Sequence, residues 1–410
     1  MNRPGGICVW ALVVALVVSP GMASARGHRT RAKRRPAAPK VLQIPEVPPE
    51  EPYESALLLD AESGVALFEK EPFKAWPQAS LVKMMVALVA LEAVAGGEIS
   101  LTAPVRVSRA AALTGGSQAH LRNGEVLTLE EALDAMIVAS ANDASIVVAE
   151  AIGGSRDAMI DRMNLRAAEL GMTDTHYYTV NGLPPVRPTD PTDVTTAHDL
   201  AILARTLLSR TGMLDHCSKQ VVPFRNGRMR LRSTNLLLGR MEGVDGLKTG
   251  YIRAAGFNFV ATATRNGMRL IAIVLGCPTL RSRFDLAQVL LEWGFSKYSR
   301  LDLVHAGEPL AIQVAVANGS TPAVRPIAAE DSSFLVKRGQ ERNLEVRYQL
   351  PTVVSAPISK DQALGEIIVR DGEEVLAVIP AIAPEDVAAL PPVVERNNLP
   401  YSSGRVRLSY

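Results

Sequence analysis

Ser80-Leu81-Val82-Lys83 places a hydroxyl and an amine three residues apart. On a helical turn these two side chains share a face. A helix start offers free N–H donors and partial positive charge, which favour an oxygen becoming negative. Lys83 stands among Val82, Met84, Met85 and Val86. Burial there disfavours the ammonium form, and a second cation nearby would do so further. A neutral amine beside a serine hydroxyl can take its proton, which makes a nucleophile without histidine. Ser80 is therefore the candidate nucleophile and Lys83 the candidate base. The bland alternative is a capping serine below a lysine whose amine reaches solvent.

Two further motifs follow in order. Ser140-Ala141-Asn142 ends an apolar helical stretch at a point where the chain must turn. Its hydroxyl can relay a proton, and its amide can hold a substrate backbone or fix the lysine. Lys248-Thr249-Gly250 is preceded by Val244-Asp245-Gly246-Leu247 and followed by Tyr251. A glycine on a strand admits a ligand backbone, and an exposed strand edge can pair with an extended peptide. Strict alternation puts Lys248 and Thr249 on opposite faces, although at an edge both can border one cleft. None of the motifs is specific alone; the ordered set describes serine acyl transfer with a lysine base.

The elements that must position them can be read from periodicity. Ser55 to Asp60 and Val65 to Glu69 read as a hairpin around Ala61-Glu62-Ser63-Gly64. An apolar helix from Leu81 to Val94 stops at Gly96-Gly97. Thr128-x-x-Glu131 is a capping box that opens a helix to Val138. Helices are expected over Ala144 to Ile152, Asp157 to Leu170 and Asp199 to Leu208. Strands are expected over Gly246 to Gly250, Phe257 to Ala263 and Leu270 to Leu275, followed by a helix from Phe284 to Trp293. Strands at both ends with helices between them predict one sheet, its outer strands drawn from both ends, with helices packed around it. Past Tyr298, short runs at Ile312 to Val316, Ser333 to Val336, Leu344 to Leu350, Leu364 to Val369 and Val375 to Ile379 predict a small all-β domain.

The remaining composition bounds the class. A chain of 410 residues can hold two or three domains. Its three cysteines form no C-x-x-C pair, and its six histidines form no H-E-x-x-H. No metal or cofactor is therefore expected. Arg3, the apolar run Ile7 to Val18 and the small triplet Ala23-Ser24-Ala25 read as a secretory signal over residues 1 to 25. Residues 26 to 52 are a basic, proline-rich linker. It suits an anionic lipid or wall polymer, or a solvated spacer, equally well. Cys217 and Cys277 read either as a pair or as two buried thiols.

Together these residues resemble the low-molecular-mass D-alanyl-D-alanine carboxypeptidases of the penicillin-binding protein and serine β-lactamase superfamily. Ser140-Ala141-Asn142-Asp143-Ala144, Asn181-Gly182-Leu183, Asp245 to Tyr251 and Ala255-Gly256-Phe257-Asn258 carry the resemblance, and Ala356-Pro357-Ile358 to Gly365 extends it into the tail. Ala141 stands where that group often has glycine. The resemblance implies an α/β (α+β) penicillin-binding/β-lactamase-like fold at 53–298, an antiparallel sheet with helices on both sides. A small all-β C-terminal domain at 299–383 and a tail at 384–410 follow.

The resemblance also implies roles. Ser80 would attack the penultimate D-alanine carbonyl with Lys83 as base, and Ser140, backed by Lys248, would protonate the departing D-alanine. Asn142 would orient the substrate, the N–H groups of Ser80 and Tyr251 would hold the oxyanion, and Gly250 would line the site. Thr249 and Arg283 would receive the terminal carboxylate; Arg283 is placed by its position before Leu290-Leu291-Glu292-Trp293-Gly294-Phe295. The implied partners are the peptidoglycan stem pentapeptide and β-lactam antibiotics, with no nucleic acid, in the periplasm or cell envelope. A β-lactamase is the first rival, but no E-x-x-L-N lies between Ser140 and Lys248. An endopeptidase and a non-catalytic wall-binding protein are the others. Relatives often end in a membrane-surface helix; the prolines after Pro384 argue for weak or no such anchoring here.

Overall fold

The computed structural model describes residues 52–187 and 189–391. The expected signal at 1–25, nearly all of the linker and the end of the tail lie outside these residues. No helix among the described residues is long and apolar enough to cross a membrane.

A five-stranded sheet organises the first part. Its spatial order is Ala66–Lys70, Ser55–Asp60, Met268–Cys277, Gly256–Arg265 and Val244–Ile252. Ser55–Asp60 pairs antiparallel with Met268–Cys277, Ala56 facing Val274, so the expected closure of one sheet from both ends is present. Along the inner strands Ser55–Asp60, Met268–Cys277 and Gly256–Arg265 alternation buries both faces, while the edge strand Ala66–Lys70 is only partly covered. Leu57, Leu59, Val260, Ile271 and Ile273 face one apolar cluster, whereas Ala56, Leu58, Phe259, Ala261 and Ala272 face the other. The first cluster is completed by the helices Val82–Ala95, Leu129–Val138, Asn142–Gly153 and Ala197–Arg210. The second is completed by Leu280–Lys297. Burial on both faces explains why these strands read as nearly continuous apolar runs.

Local signals set the helix starts. Thr128 accepts from Glu131 N while the Glu131 side chain accepts from Thr128 N, so the capping box forms. Ser155 caps the helix Arg156–Glu169 and Thr196 the helix Ala197–Arg210. The helix Val82–Ala95 is apolar nearly all round and runs through the core. Boundaries elsewhere extend the sequence expectation by a few residues; the last long helix begins at Leu280 rather than Phe284, capped by Thr279.

From Tyr298 to Pro391 the chain is almost entirely β. A four-stranded sheet is ordered Ile327–Ala328, Glu374–Ile382, Ala363–Asp371, Leu344–Gln349, and a three-stranded sheet Ala323–Val324, Val314–Ala317, Val353–Ser355. Arg300 joins this part to the first. Its Nη2 lies 2.7 Å from Glu62 Oε2 and its Nη1 3.6 Å from the fully buried Asp60 Oδ1. Cys217 and Cys277 are both free and buried: one packs against Gly246, the other pairs with Phe257 within the sheet.

Candidate active site

Ser80 lies in a 3-10 turn, Ala79–Leu81, rather than in the first turn of the long helix itself, which starts at Val82. In such a turn side chains three apart nearly eclipse, which suits the Ser80 and Lys83 pair. Lys83 is fully buried. Its Nζ is 2.8 Å from Ser80 Oγ, 2.8 Å from Asn142 Oδ1 and 2.7 Å from the Asn181 carbonyl. Asn142 Nδ2 donates to the Gly115 carbonyl at 2.8 Å, which fixes the amide so that its oxygen faces the lysine. Two of the three contacts to Nζ are therefore obligate acceptors. A neutral amine would spend both its N–H groups on them, leaving its lone pair directed at Ser80. Burial pulls the Lys83 pKa down to about 7, against a smaller opposing pull from Asp193 and Asp143.

Lys248 repeats the arrangement from the sheet edge. Its Nζ donates to Ser140 Oγ at 2.8 Å and to the Thr249 carbonyl at 2.9 Å. Burial holds its pKa well below the ordinary lysine value, and the charges of Lys83 and Arg283 add to the effect. Ser140 adopts a left-handed backbone, φ +58°. That conformation is strained for serine, and here it aims the hydroxyl at Lys248.

The rest of the edge strand contributes through backbone and rim. A Cβ on Gly250 would stand 2.9 Å from the Gln78 carbonyl and 3.3 Å from Leu81. The strand thus lies close against the nucleophile turn because position 250 has no side chain. Thr249 Oγ1 donates to Thr234 Oγ1 at 2.8 Å. Tyr251 is 53 % exposed and stacks on Phe257 at 4.2 Å.

Arg283 is buried beneath the strand. Its Nη1 donates to the Gly250 carbonyl at 3.1 Å, and its guanidinium packs 4.7 Å over Phe284. Burial lowers its pKa to about 10. Its closest bonded partner in the third motif is therefore a backbone carbonyl, not the Thr249 hydroxyl.

Several contributors carry no motif of their own. Asp143 Oδ1 accepts from Ala119 N and Oδ2 from Leu121 N, which holds the 117–121 loop beside Ser140. Asp193 accepts from Tyr178 N, Thr179 N and Thr179 Oγ1, and so shapes the turn that presents the Asn181 carbonyl to Lys83. Gly182 has φ +74°, and a Cβ there would sit 1.9 Å from the Ala79 carbonyl; only glycine fits. Asn181-Gly182-Leu183 was visible as a string in the sequence, but its geometric purpose was not. Thr234 had no signal at all.

Known proteins resemble this chain in sequence and fold. A family model described as D-alanyl-D-alanine carboxypeptidase matches residues 43–279, and one described as the C-terminal domain of penicillin-binding protein 5 matches residues 298–389. D-alanyl-D-alanine carboxypeptidase DacF of Bacillus subtilis is 34 % identical over 337 residues, which cover 81 % of this chain and 85 % of that one. DacC of Escherichia coli is 33 % identical over 339 residues, covering 81 % and 83 %. Among solved structures, penicillin-binding protein 5 of Haemophilus influenzae superposes with a TM-score of 0.67 at 28 % identity, covering 83 % of this chain and 99 % of that one. The sequence expectation of family and fold is thereby met: the chain belongs to the D-alanyl-D-alanine carboxypeptidase family.

Proposed function

We propose that this chain removes the terminal D-alanine from peptidoglycan stem peptides through an acyl-enzyme on Ser80, and that β-lactams acylate the same oxygen. The observation that carries the reading is the 2.8 Å approach of Lys83 Nζ to Ser80 Oγ, with burial drawing the Lys83 pKa to about 7. Near neutral pH a large share of Lys83 is then neutral, as a general base must be.

In the first step Ser80 Oγ gives its proton to Lys83 and bonds the carbonyl carbon of the penultimate D-alanine. The oxyanion is held by the N–H groups of Ser80 and Tyr251; losing one such donor typically costs ~10²–10³ in turnover. As the C–N bond breaks, the amine of the departing D-alanine takes a proton through Ser140, whose hydroxyl is bonded to Lys248. Asn142 orients the substrate amide, and the strand edge with Gly250 receives the peptide backbone. Thr249 hydrogen-bonds the terminal carboxylate, and Arg283, a short distance beneath the strand, supplies positive potential. Water then attacks the ester and returns Ser80.

The apolar N-terminal run and the triplet ending at Ala25 support export to the periplasm or envelope. Secretion of a signal-bearing fusion, lost when residues 1–25 are deleted, tests this. The proline-interrupted tail supports weak or no membrane anchoring; fractionation with and without residues 384–410 tests that, and solubilisation on truncation would refute it. For the reaction, purified protein is incubated with a pentapeptide and with penicillin. Release of D-alanine and a covalent adduct by mass spectrometry are expected, both absent in Ser80→Ala. Failure of both in the native chain would refute the reading. A rapidly hydrolysed penicillin adduct would favour a β-lactamase, and cleavage of cross-linked dimers an endopeptidase.

A further inference from the structure

A short hairpin, Val221–Phe224 with Met229–Arg232, stands immediately before the strand-edge region of the site. Its faces differ sharply. Val222, Phe224 and Leu231 point into the main core, while Arg230 and Arg232 are exposed on the opposite face and Arg228 is exposed at the turn. Register places Arg232 opposite Val221 and Arg230 opposite Pro223. Each guanidinium therefore rises beside an exposed apolar or proline residue instead of an acid.

Pairing is selective within this hairpin. Arg225 is held by Glu125, with Nε 2.7 Å from Oε1. Among the described residues the guanidinium groups of Arg228, Arg230 and Arg232 make no hydrogen bond or ion pair. Strand residues two apart are separated by about 6.6 Å, so Arg230 and Arg232 form a closely spaced row of like charge. Such a row is unfavourable in isolation and suits a partner with repeated anionic groups. Guanidinium forks match carboxylates in particular, because both are planar and bond in pairs.

The row leads to the cleft. Arg232 is two residues from Thr234, whose hydroxyl accepts from Thr249 at the strand edge. The strand ends at Arg232, and at no more than about 3.3 Å per residue Arg232 lies within about 7 Å of Thr234 and Arg230 within about 13 Å. These lengths correspond to a few residues of an extended peptide whose reacting end lies in the cleft.

We infer that the outer face of this hairpin binds the free carboxylates of the peptidoglycan strand that presents the substrate, upstream of the D-alanyl end. The inference rests on the proposed carboxypeptidase reading and adds a second contact region to it. The hairpin contributes to capture of the polymer, not to bond cleavage, so it acts on KM and not on kcat.

The test compares the native chain with Arg230→Gln/Arg232→Gln on two substrates. One is a muropeptide strand with free carboxylates; the other is a diacylated lysyl-D-Ala-D-Ala tripeptide, which has none upstream of the reacting end. For the strand, KM should rise about threefold to tenfold at low ionic strength, as expected for two exposed ion pairs, with kcat unchanged. The difference should shrink in salt, where the Debye length falls to a few ångströms. Tripeptide hydrolysis and penicillin acylation should be unchanged, and Arg230→Lys/Arg232→Lys should lie between the native chain and the Gln variant, because lysine keeps the charge but not the paired hydrogen bonds. Equal effects on both substrates, or none on either, would overturn the inference. So would an unchanged strand KM together with lost sedimentation on vesicles of anionic phospholipid, which would assign the surface to lipid. Tripeptide turnover in the native chain without strand discrimination refutes this inference alone, whereas no tripeptide turnover and no acylation refutes the carboxypeptidase reading beneath it.

Discussion

Lys248 Nζ donates to Ser140 Oγ at 2.8 Å across 108 residues of chain. Lys83 makes the same contact, at the same distance, with Ser80 only three residues away. The site is thus two serine–lysine pairs, one local and one assembled by the fold. Each lysine is fully buried or nearly so, and the charge of Lys83 adds to the cost of charging Lys248.

The pH dependence of acylation should follow Lys83. With its pKa lowered to about 7, the rate of penicillin acylation should rise through about pH 7 as the amine loses its proton. Stopped-flow acylation across pH 5 to 9 checks this; a flat profile would remove Lys83 as the base. Stability should follow the same group. Above pH 10.5, the ordinary value, the amine is neutral in both folded and unfolded chains. As pH falls from 10.5 to about 7 the unfolded chain takes up the proton first, so stability declines; below about 7 the loss is complete. Lys83→Met should flatten that part of the stability curve, measured by urea unfolding at several pH values, and abolish turnover.

Ser140→Gly should separate stability from activity. Serine at φ +58° carries strain of order 1–3 kcal/mol, which glycine relieves while adding about 0.4–1 kcal/mol of unfolded-state entropy. The variant should therefore be as stable as the native chain or about 1 kcal/mol more so. Its turnover should still fall by ~10²-fold or more, because a proton-relaying group has been removed. Ser140→Ala should lose similar activity without the gain in stability.

Gly182→Ala and Gly154→Ala form a matched pair. Both glycines have a left-handed backbone, but a Cβ at 182 would sit 1.9 Å from the Ala79 carbonyl, whereas nothing lies within 4 Å at 154. Gly154→Ala should cost about 1 kcal/mol through strain alone. Gly182→Ala should cost several times more and lower acylation, because Asn181 and the nucleophile turn must separate. Thermal unfolding and acylation rates measured side by side decide the point.

Arg300→Met should loosen the β-rich part from the sheet domain. Arg300 is 6 % exposed and faces Asp60, which is fully buried, as well as Glu62. Removing the cation leaves the buried Asp60 carboxylate with only its hydrogen bonds from Ser63 N and Oγ, a loss of about 1–3 kcal/mol. Faster proteolysis near Tyr298 with retained penicillin binding is the expected outcome.

Much of the site was legible because its chemistry is local in sequence. Ser80 and Lys83 share one turn, and Thr128 and Glu131 reveal a helix start. Lys248, Thr249 and Gly250 are contiguous, and apolar runs mark strands buried on both faces. Arg283 is marked only by the family resemblance, and its hydrogen bond to the Gly250 carbonyl leaves no trace in spacing. The contributions of Asp143, Asp193 and Thr234 carry no such mark, because a carboxylate holding backbone N–H groups or a hydroxyl bonding a distant hydroxyl leaves no periodic or short-range trace.

The sequence by itself therefore determined the candidate reacting groups, the order of elements and the family, since each depends on residue type and spacing along the chain. Tertiary structure decided which groups meet: Lys83 with Asn142 and the Asn181 carbonyl, Lys248 with Ser140, Thr249 with Thr234. It also decided how basic the two lysines are. Both outcomes depend on burial and on contacts between distant segments, and those exist only once the sheet has closed and excluded water from the cleft's inner wall.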